Sequence, residues 1–96
     1  MFTKRKIVRK SIRFYGLVQA VGFRWHAMKA AEYYGVTGWV RNEYDGTVSM
    51  EIQGTEQQID DVIAAIERGI YIRIDRMDVK TIGVDPDERG FRVKYH

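Results

Sequence analysis

Residues 12–27 read Ile12-Arg13-Phe14-Tyr15-Gly16-Leu17-Val18-Gln19-Ala20-Val21-Gly22-Phe23-Arg24-Trp25-His26-Ala27, and the hydrophobic period changes inside them. Over residues 7–15 polar and apolar side chains alternate. Val8, Ile12 and Phe14 point one way and Arg9, Ser11 and Arg13 the other, the pattern of a half-buried strand. From Phe23 the apolar residues fall on one helical stripe: Phe23, Ala27, Ala30, Ala31 and Tyr34. Gly35 is suited to end that helix in a left-handed conformation. Between the two periods lies residues 16–22, small and uncharged, which must turn a strand into a helix.

The rest of the chain repeats this grammar. Residues 36–41 read as a second strand, Asp45-Gly46 as a hairpin turn, and residues 47–53 as a third strand with Val48, Met50 and Ile52 inward and Gly54 closing it. Thr55 and Gln58 have the spacing of a capping box. Ile59, Val62, Ile63 and Ile66 then form the apolar stripe of a second helix ended by Gly69. Residues 75–84 resemble a fourth strand with poor alternation, as a bulge produces. Asp85-Pro86-Asp87 is a turn. Phe91, Val93 and Tyr95 make a short last strand. The order βαββαβ plus a C-terminal strand predicts an α+β, ferredoxin-like α/β sandwich. Its sheet is antiparallel in the order fourth, first, third, second, with both helices on one face.

Ninety-six residues make a single domain of residues 1–96, with residues 1–6 a basic and flexible arm. The chain has no cysteine, so disulfides, thiolate metal sites and a cysteine nucleophile are excluded. No apolar run approaches the roughly 18–20 residues of a membrane span. The basic start is not followed by a continuous apolar segment, so no signal peptide is expected and the chain reads as cytoplasmic. Lys4, Arg5, Lys6, Arg9, Lys10, Arg13, Arg24 and Lys29 are all basic, and none of the 13 acidic residues lies before Glu32. Such asymmetry attracts anions. Yet the third strand would present Thr47, Ser49, Glu51 and Gln53 on the open face rather than aromatics, which argues against nucleic acid as partner.

Two segments can carry chemistry. A helix N-terminus offers N–H groups without intrahelical partners and a positive dipole end, both suited to phosphate. Gly22 leaves room for close approach. Arg24, in the first helical turn, carries a planar fork of donors that matches phosphate oxygens. The second segment is Gly38-Trp39-Val40-Arg41-Asn42. In a split βαβ unit the first and second strands are parallel, so Asn42 and the loop share one edge of the sheet. An amide that both donates and accepts can hold a water toward phosphorus there. His26, His96 and the pair Asp60-Asp61 read as surface residues, and no ligand cluster for a metal is apparent.

Gln19-Ala20-Val21-Gly22-Phe23-Arg24, then Gly38-Trp39-Val40-Arg41-Asn42 and Asp45-Gly46-Thr47-Val48, resemble the acylphosphatase family. Phe91-Arg92-Val93-Lys94-Tyr95 is similar to its last strand. The resemblance spans about residues 10–95 and implies metal- and cofactor-independent hydrolysis of acyl phosphates to a carboxylate and inorganic phosphate. It implies that Arg24 and Asn42 are catalytic. Gln19, Ala20, Val21, Gly22, Phe23 and Arg24 would form the phosphate-binding loop, and Asn42 would position the water. It implies a small-molecule acyl phosphate as partner, inorganic phosphate as product ligand, and a monomer. Two positions depart from the pattern: Leu17, where the family often has a basic residue, and Ala20, where it has glycine. If φ is positive at residue 20, the methyl costs about 1 kcal/mol. The alternative implied is a weakened module that binds phosphate without turnover.

Overall fold

The computed structural model describes residues 5–19 and 22–95. The expectations placed on residues 1–4, Ala20, Val21 and His96 lie outside them. Seven elements follow one another: β1 (Ile7–Leu17), α1 (Phe23–Tyr34), β2 (Thr37–Asn42), β3 (Val48–Thr55), α2 (Glu56–Glu67), β4 (Arg73–Ile82) and β5 (Phe91–Val93). The sheet order is β4-β1-β3-β2-β5.

β1 pairs antiparallel with both β3 and β4, and β2 antiparallel with β3, as the split βαβ topology required. The expectation of a wholly antiparallel sheet is corrected at one edge. β5 lies parallel to β2, Gly38 opposite Phe91 and Val40 opposite Val93. The N–H of Gly38 donates to Gly90 O at 3.0 Å and that of Lys94 to Val40 O at 2.9 Å. Alternation marks a strand but not the direction of its partner.

The core lies between sheet and helices. Ile12, Phe14, Val40, Val48, Met50 and Ile52 rise from the sheet to meet Phe23, Ala27, Ala30 and Ala31 of α1 and Ile59, Val62 and Ile66 of α2. α1 uses alanines where it approaches its neighbours. α2 begins with the full capping box: Gln58 N–H donates to Thr55 Oγ1 at 3.1 Å, and Thr55 N–H donates to Gln58 Oε1 at 2.8 Å. The Gln58 amide also donates to Tyr34 O at 2.8 Å, tying the start of α2 to the end of α1.

Several boundaries differ from expectation for physical reasons. β3 runs past Gly54 to Thr55, and Arg68, not Gly69, caps α2. β4 spans 73–82 rather than 75–84, because a register shift between Tyr15 and Gly16 inserts Asp75 as an extra residue. Gly16 has φ +129, and a Cβ there would overlap the Arg73 carbonyl. Gly38 is equally constrained, with φ +143 and the Glu51 carbonyl where a side chain would stand.

Arg9 is not a solvent-facing residue. It is 5% exposed, covered by the loop that follows β4. Its guanidinium donates to Glu88 at 2.6 and 3.0 Å, to Glu51 at 2.9 and 3.1 Å, and to Gln53 at 3.2 Å. Arg13 lies 3.5 Å from Asp45. The basic face read from the sequence is thus largely neutralised. Among the described residues no helix is long and apolar enough to cross a membrane.

Candidate functional site

The loop between β1 and α1 is anchored at both ends by groups that face the protein. Val18 is buried at its start. At its end Phe23, 1% exposed and the first residue of α1, packs edge-on against Phe14 with ring centroids 5.1 Å apart. The Phe23 side chain is therefore an anchor, and only its backbone N–H is available to a ligand. The helix start is fixed over the C-terminal end of β1.

Gln19 supplies a third anchor. Its Nε2 donates to Thr47 O at 2.8 Å and, in a shorter bond, to Glu43 O. Those two carbonyls also close the β2–β3 hairpin, Thr47 O accepting from Glu43 N–H at 2.9 Å and Glu43 O from Gly46 N–H at 3.3 Å. Both partners are acceptors, so the nitrogen and not the oxygen of the amide must face them. The side chain of Gln19 serves the hairpin rather than the loop's interior.

Gly22 is the N-cap of α1, with φ 87 and ψ 20, and no side chain caps the helix. The first turn holds no acidic residue. His26 N–H donates to Gly22 O at 2.8 Å, the first intrahelical bond. The N–H groups ahead of it have no acceptor of that kind and are the natural anion contacts. His26, expected at the surface, is half-buried with Cδ2 3.9 Å from where a Gly22 Cβ would stand.

Gln19, Gly22, Phe23 and Arg24 line one cleft of about 300 Å³ together with Trp25, Met28, Val93 and Tyr95. The Arg24 guanidinium carbon lies 5.4 Å from the centroid of the Tyr95 ring. Asn42 ends β2, outside this cleft's lining, with its Oδ1 shielded from solvent. Its neighbours in the hairpin are tied to one another. Arg41 donates to Glu43 at 3.1 and 3.3 Å. The Glu43 carboxyl is held below its ordinary pKa chiefly by the hydroxyl of Ser49; burial acts the other way and is smaller, and Arg41 adds to the lowering. Thr47 donates through N–H (3.0 Å) and Oγ1 (2.6 Å) to Asp45, setting the turn. Among the described residues no group of His, Cys, Asp and Glu is placed to hold a metal.

Of the positions the sequence singled out, Gln19, Gly22, Phe23 and Arg24 share the cleft, and Asn42 stands at the end of β2 outside its lining. A family model, Acylphosphatase, matches residues 10–93. The chain belongs to the acylphosphatase family. An acylphosphatase from Oceanobacillus iheyensis is 40% identical over 82 residues, covering 83% of this chain and 90% of that relative. One from Geobacillus thermodenitrificans is 42% identical over 81 residues, covering 83% and 86%. In three dimensions the chain is similar to the crystal structure of acylphosphatase from Bacillus subtilis, with a TM-score of 0.83 and 26% identity over 92% of this chain and 99% of that one. Both site segments lie inside the matched residues, whereas Tyr95 lies just outside them.

Sequence reading missed two features. The task of the Gln19 side chain depends on hairpin carbonyls 24 and 28 positions away, which no local pattern reveals. The cleft wall joins residues of α1 to the C-terminal segment. Its only signal was Trp25, an aromatic off the apolar stripe of α1; Tyr95 was read as part of the last strand, but β5 ends at Val93.

Proposed function

We infer that Arg24, the 19–24 loop and Asn42 carry the acylphosphatase activity of this chain. The chain is an enzyme that hydrolyses acyl phosphates, RCO–OPO₃²⁻ + H₂O → RCOO⁻ + H₂PO₄⁻. The observation that carries the assignment of residues is the α1 N-terminus, without a side-chain cap or an acidic neighbour and with Arg24 in its first turn. The phosphoryl oxygens sit on the loop N–H groups and the guanidinium fork, which meet negative charge in ground and transition states alike and tighten as charge develops. Asn42 orients a water toward phosphorus. The P–O bond to the carboxyl group breaks and the carboxylate departs. A carboxylate is a weak base, with a pKa of about 4, so its departure needs no general acid. The water's proton passes to a phosphoryl oxygen of the substrate itself. Family membership supports turnover over a module that only binds anions.

In this reading the chain acts as a cytoplasmic monomer, since every proposed residue comes from one chain, and requires no metal or cofactor. The test is steady-state hydrolysis of acetyl phosphate after exhaustive chelation. Activity is expected to survive. Loss on chelation with recovery on adding a divalent cation would overturn metal independence. Folded Arg24→Lys and Asn42→Ala proteins with wild-type rates would overturn the assignment of residues.

A further inference from the structure

The cleft beside α1 is lined by Gln19, Gly22 and Arg24 and by the apolar side chains of Trp25, Met28, Val93 and Tyr95. Trp25 is 60% exposed and Tyr95 76%, two large aromatic surfaces left out of the core at the mouth of one cleft. Among the described residues no carboxylate lines it. A substrate held by its phosphoryl group at Arg24 has its acyl group a few bonds away. In-line attack puts the leaving carboxyl on the side of phosphorus opposite the water. Arg24 borders the cleft, so the cleft lies within reach of that acyl group.

We propose that the apolar lining of this cleft forms the acyl-group subsite, and that Trp25 and Tyr95 favour acyl phosphates with a flat, uncharged aromatic acyl group over those with a short aliphatic one. The proposal rests on the reading of Arg24 as the phosphoryl clamp. Tyr95 has two contacts in this arrangement: it stacks under the Arg24 guanidinium, 5.4 Å from ring to carbon, and it walls the subsite. Trp25 has no such tie to Arg24, and Lys29 lies 5.9 Å from its ring. Contacts to a remote part of the substrate are made equally in the ground and transition states, so the preference resides in KM rather than kcat.

The experiment compares benzoyl phosphate with acetyl phosphate in wild type, Trp25→Ala, Trp25→Phe and Arg24→Lys. Taking the ratio of kcat/KM values between substrates, and then between proteins, cancels the substrates' intrinsic reactivities. Trp25→Ala is expected to lower the benzoyl-to-acetyl ratio at least about fivefold through the benzoyl KM, the scale of one lost aromatic contact. Trp25→Phe keeps most of the ratio, and Arg24→Lys lowers both substrates alike. Benzoate inhibits wild type more tightly than acetate does, and Trp25→Ala loses the difference. Trp25 is exposed, so its variants fold. An unchanged ratio in Trp25→Ala, with both substrates turned over, overturns the subsite and leaves the phosphoryl clamp standing. A wild type that hydrolyses neither substrate overturns both.

Discussion

Replacing Gln19 by alanine separates the loop from the hairpin without touching a backbone N–H of the loop. The wild-type amide makes two hydrogen bonds to Glu43 O and Thr47 O. Each is worth about 0.5–1.5 kcal/mol net. Both carbonyls keep a backbone donor, Gly46 N–H and Glu43 N–H, so neither is stranded when the amide is removed. The loss therefore belongs at the lower end, about 1–2 kcal/mol, or about 4–15 °C in Tm for a domain of this size. Gln19→Glu is worse than alanine, because a carboxylate cannot donate and would face two carbonyl oxygens.

The functional effect is expected to exceed the stability effect. Asn42 adjoins the hairpin and Arg24 follows the loop, so Gln19 is the side chain that fixes one half of the site against the other. A displacement of about 1 Å between a water and phosphorus costs on the order of 100-fold in rate. Hydrolysis measured well below the melting temperature should show kcat reduced about 10- to 100-fold in Gln19→Ala, with inhibition by inorganic phosphate changed much less. A drop in Tm with kcat within twofold of wild type would reduce Gln19 to a structural tie. No change in either would refute the coupling of loop and hairpin altogether.

Arg24→Lys keeps the charge and loses the planar fork, so kcat/KM should fall at least about tenfold, which is about 1.4 kcal/mol. Asn42→Ala should depress kcat while phosphate still inhibits. If kcat, phosphate inhibition and Tm fall together, Asn42 is a turn residue instead. Glu88 gives a pH prediction. Burial pushes its carboxyl up, but hydrogen bonds from Arg9 and Thr37 and the charge of Arg9 outweigh it, and the group is held below its ordinary value. A depressed folded-state pKa contributes stability that is complete above the unfolded value of about 4.3 and is lost as pH falls through the folded one. Glu88→Gln should therefore cost about 1.5–3 kcal/mol near neutrality, and its gap to wild type should close below about pH 4. Chemical denaturation at pH 3 and pH 7 measures both, and a gap independent of pH would contradict the pairing.

What the sequence revealed and what it hid divide by range. Thr55 and Gln58 are three residues apart, and both halves of their capping box were legible because the whole interaction is local. The stripes of α1 and α2 were legible because period and burial are one fact. Arg9 was misread because its cover comes from Glu88, 79 positions on, and no alternation in β1 records a loop folding over its open face. The start of β4 was misplaced because the bulge at Asp75 breaks the parity by which a strand is recognised. Arg24 and Asn42 were singled out through topology. A split βαβ unit makes β1 and β2 parallel, and their ends must then share an edge.

The two helices of this chain start in opposite ways, and the contrast bears on the site. α2 satisfies its first turn internally: Thr55 caps it, Gln58 closes the box, and Glu56 sets a negative charge at its positive end. α1 does none of this. Its N-cap is a glycine in the left-handed region, no side chain reaches back, and no carboxylate lies in the first turn. Glycine at the cap forgoes a few tenths of a kcal/mol, and omitting a favourable first-turn charge forgoes several tenths more. A polar side chain at residue 22 would be strained at φ +87 and, where it did cap, would occupy the same N–H groups a phosphate needs, and an acidic one would also repel a dianion. The stability forgone at α1 is offset by anchors that leave those groups alone: Phe23 against Phe14, Val18 in the core, and the Gln19 amide on the hairpin. These contacts order the ends of the loop during folding, so that part of its entropy is not charged to substrate binding. A small chain can thus present donors and one guanidinium at fixed positions, which is most of what phosphoryl transfer to water asks of a protein.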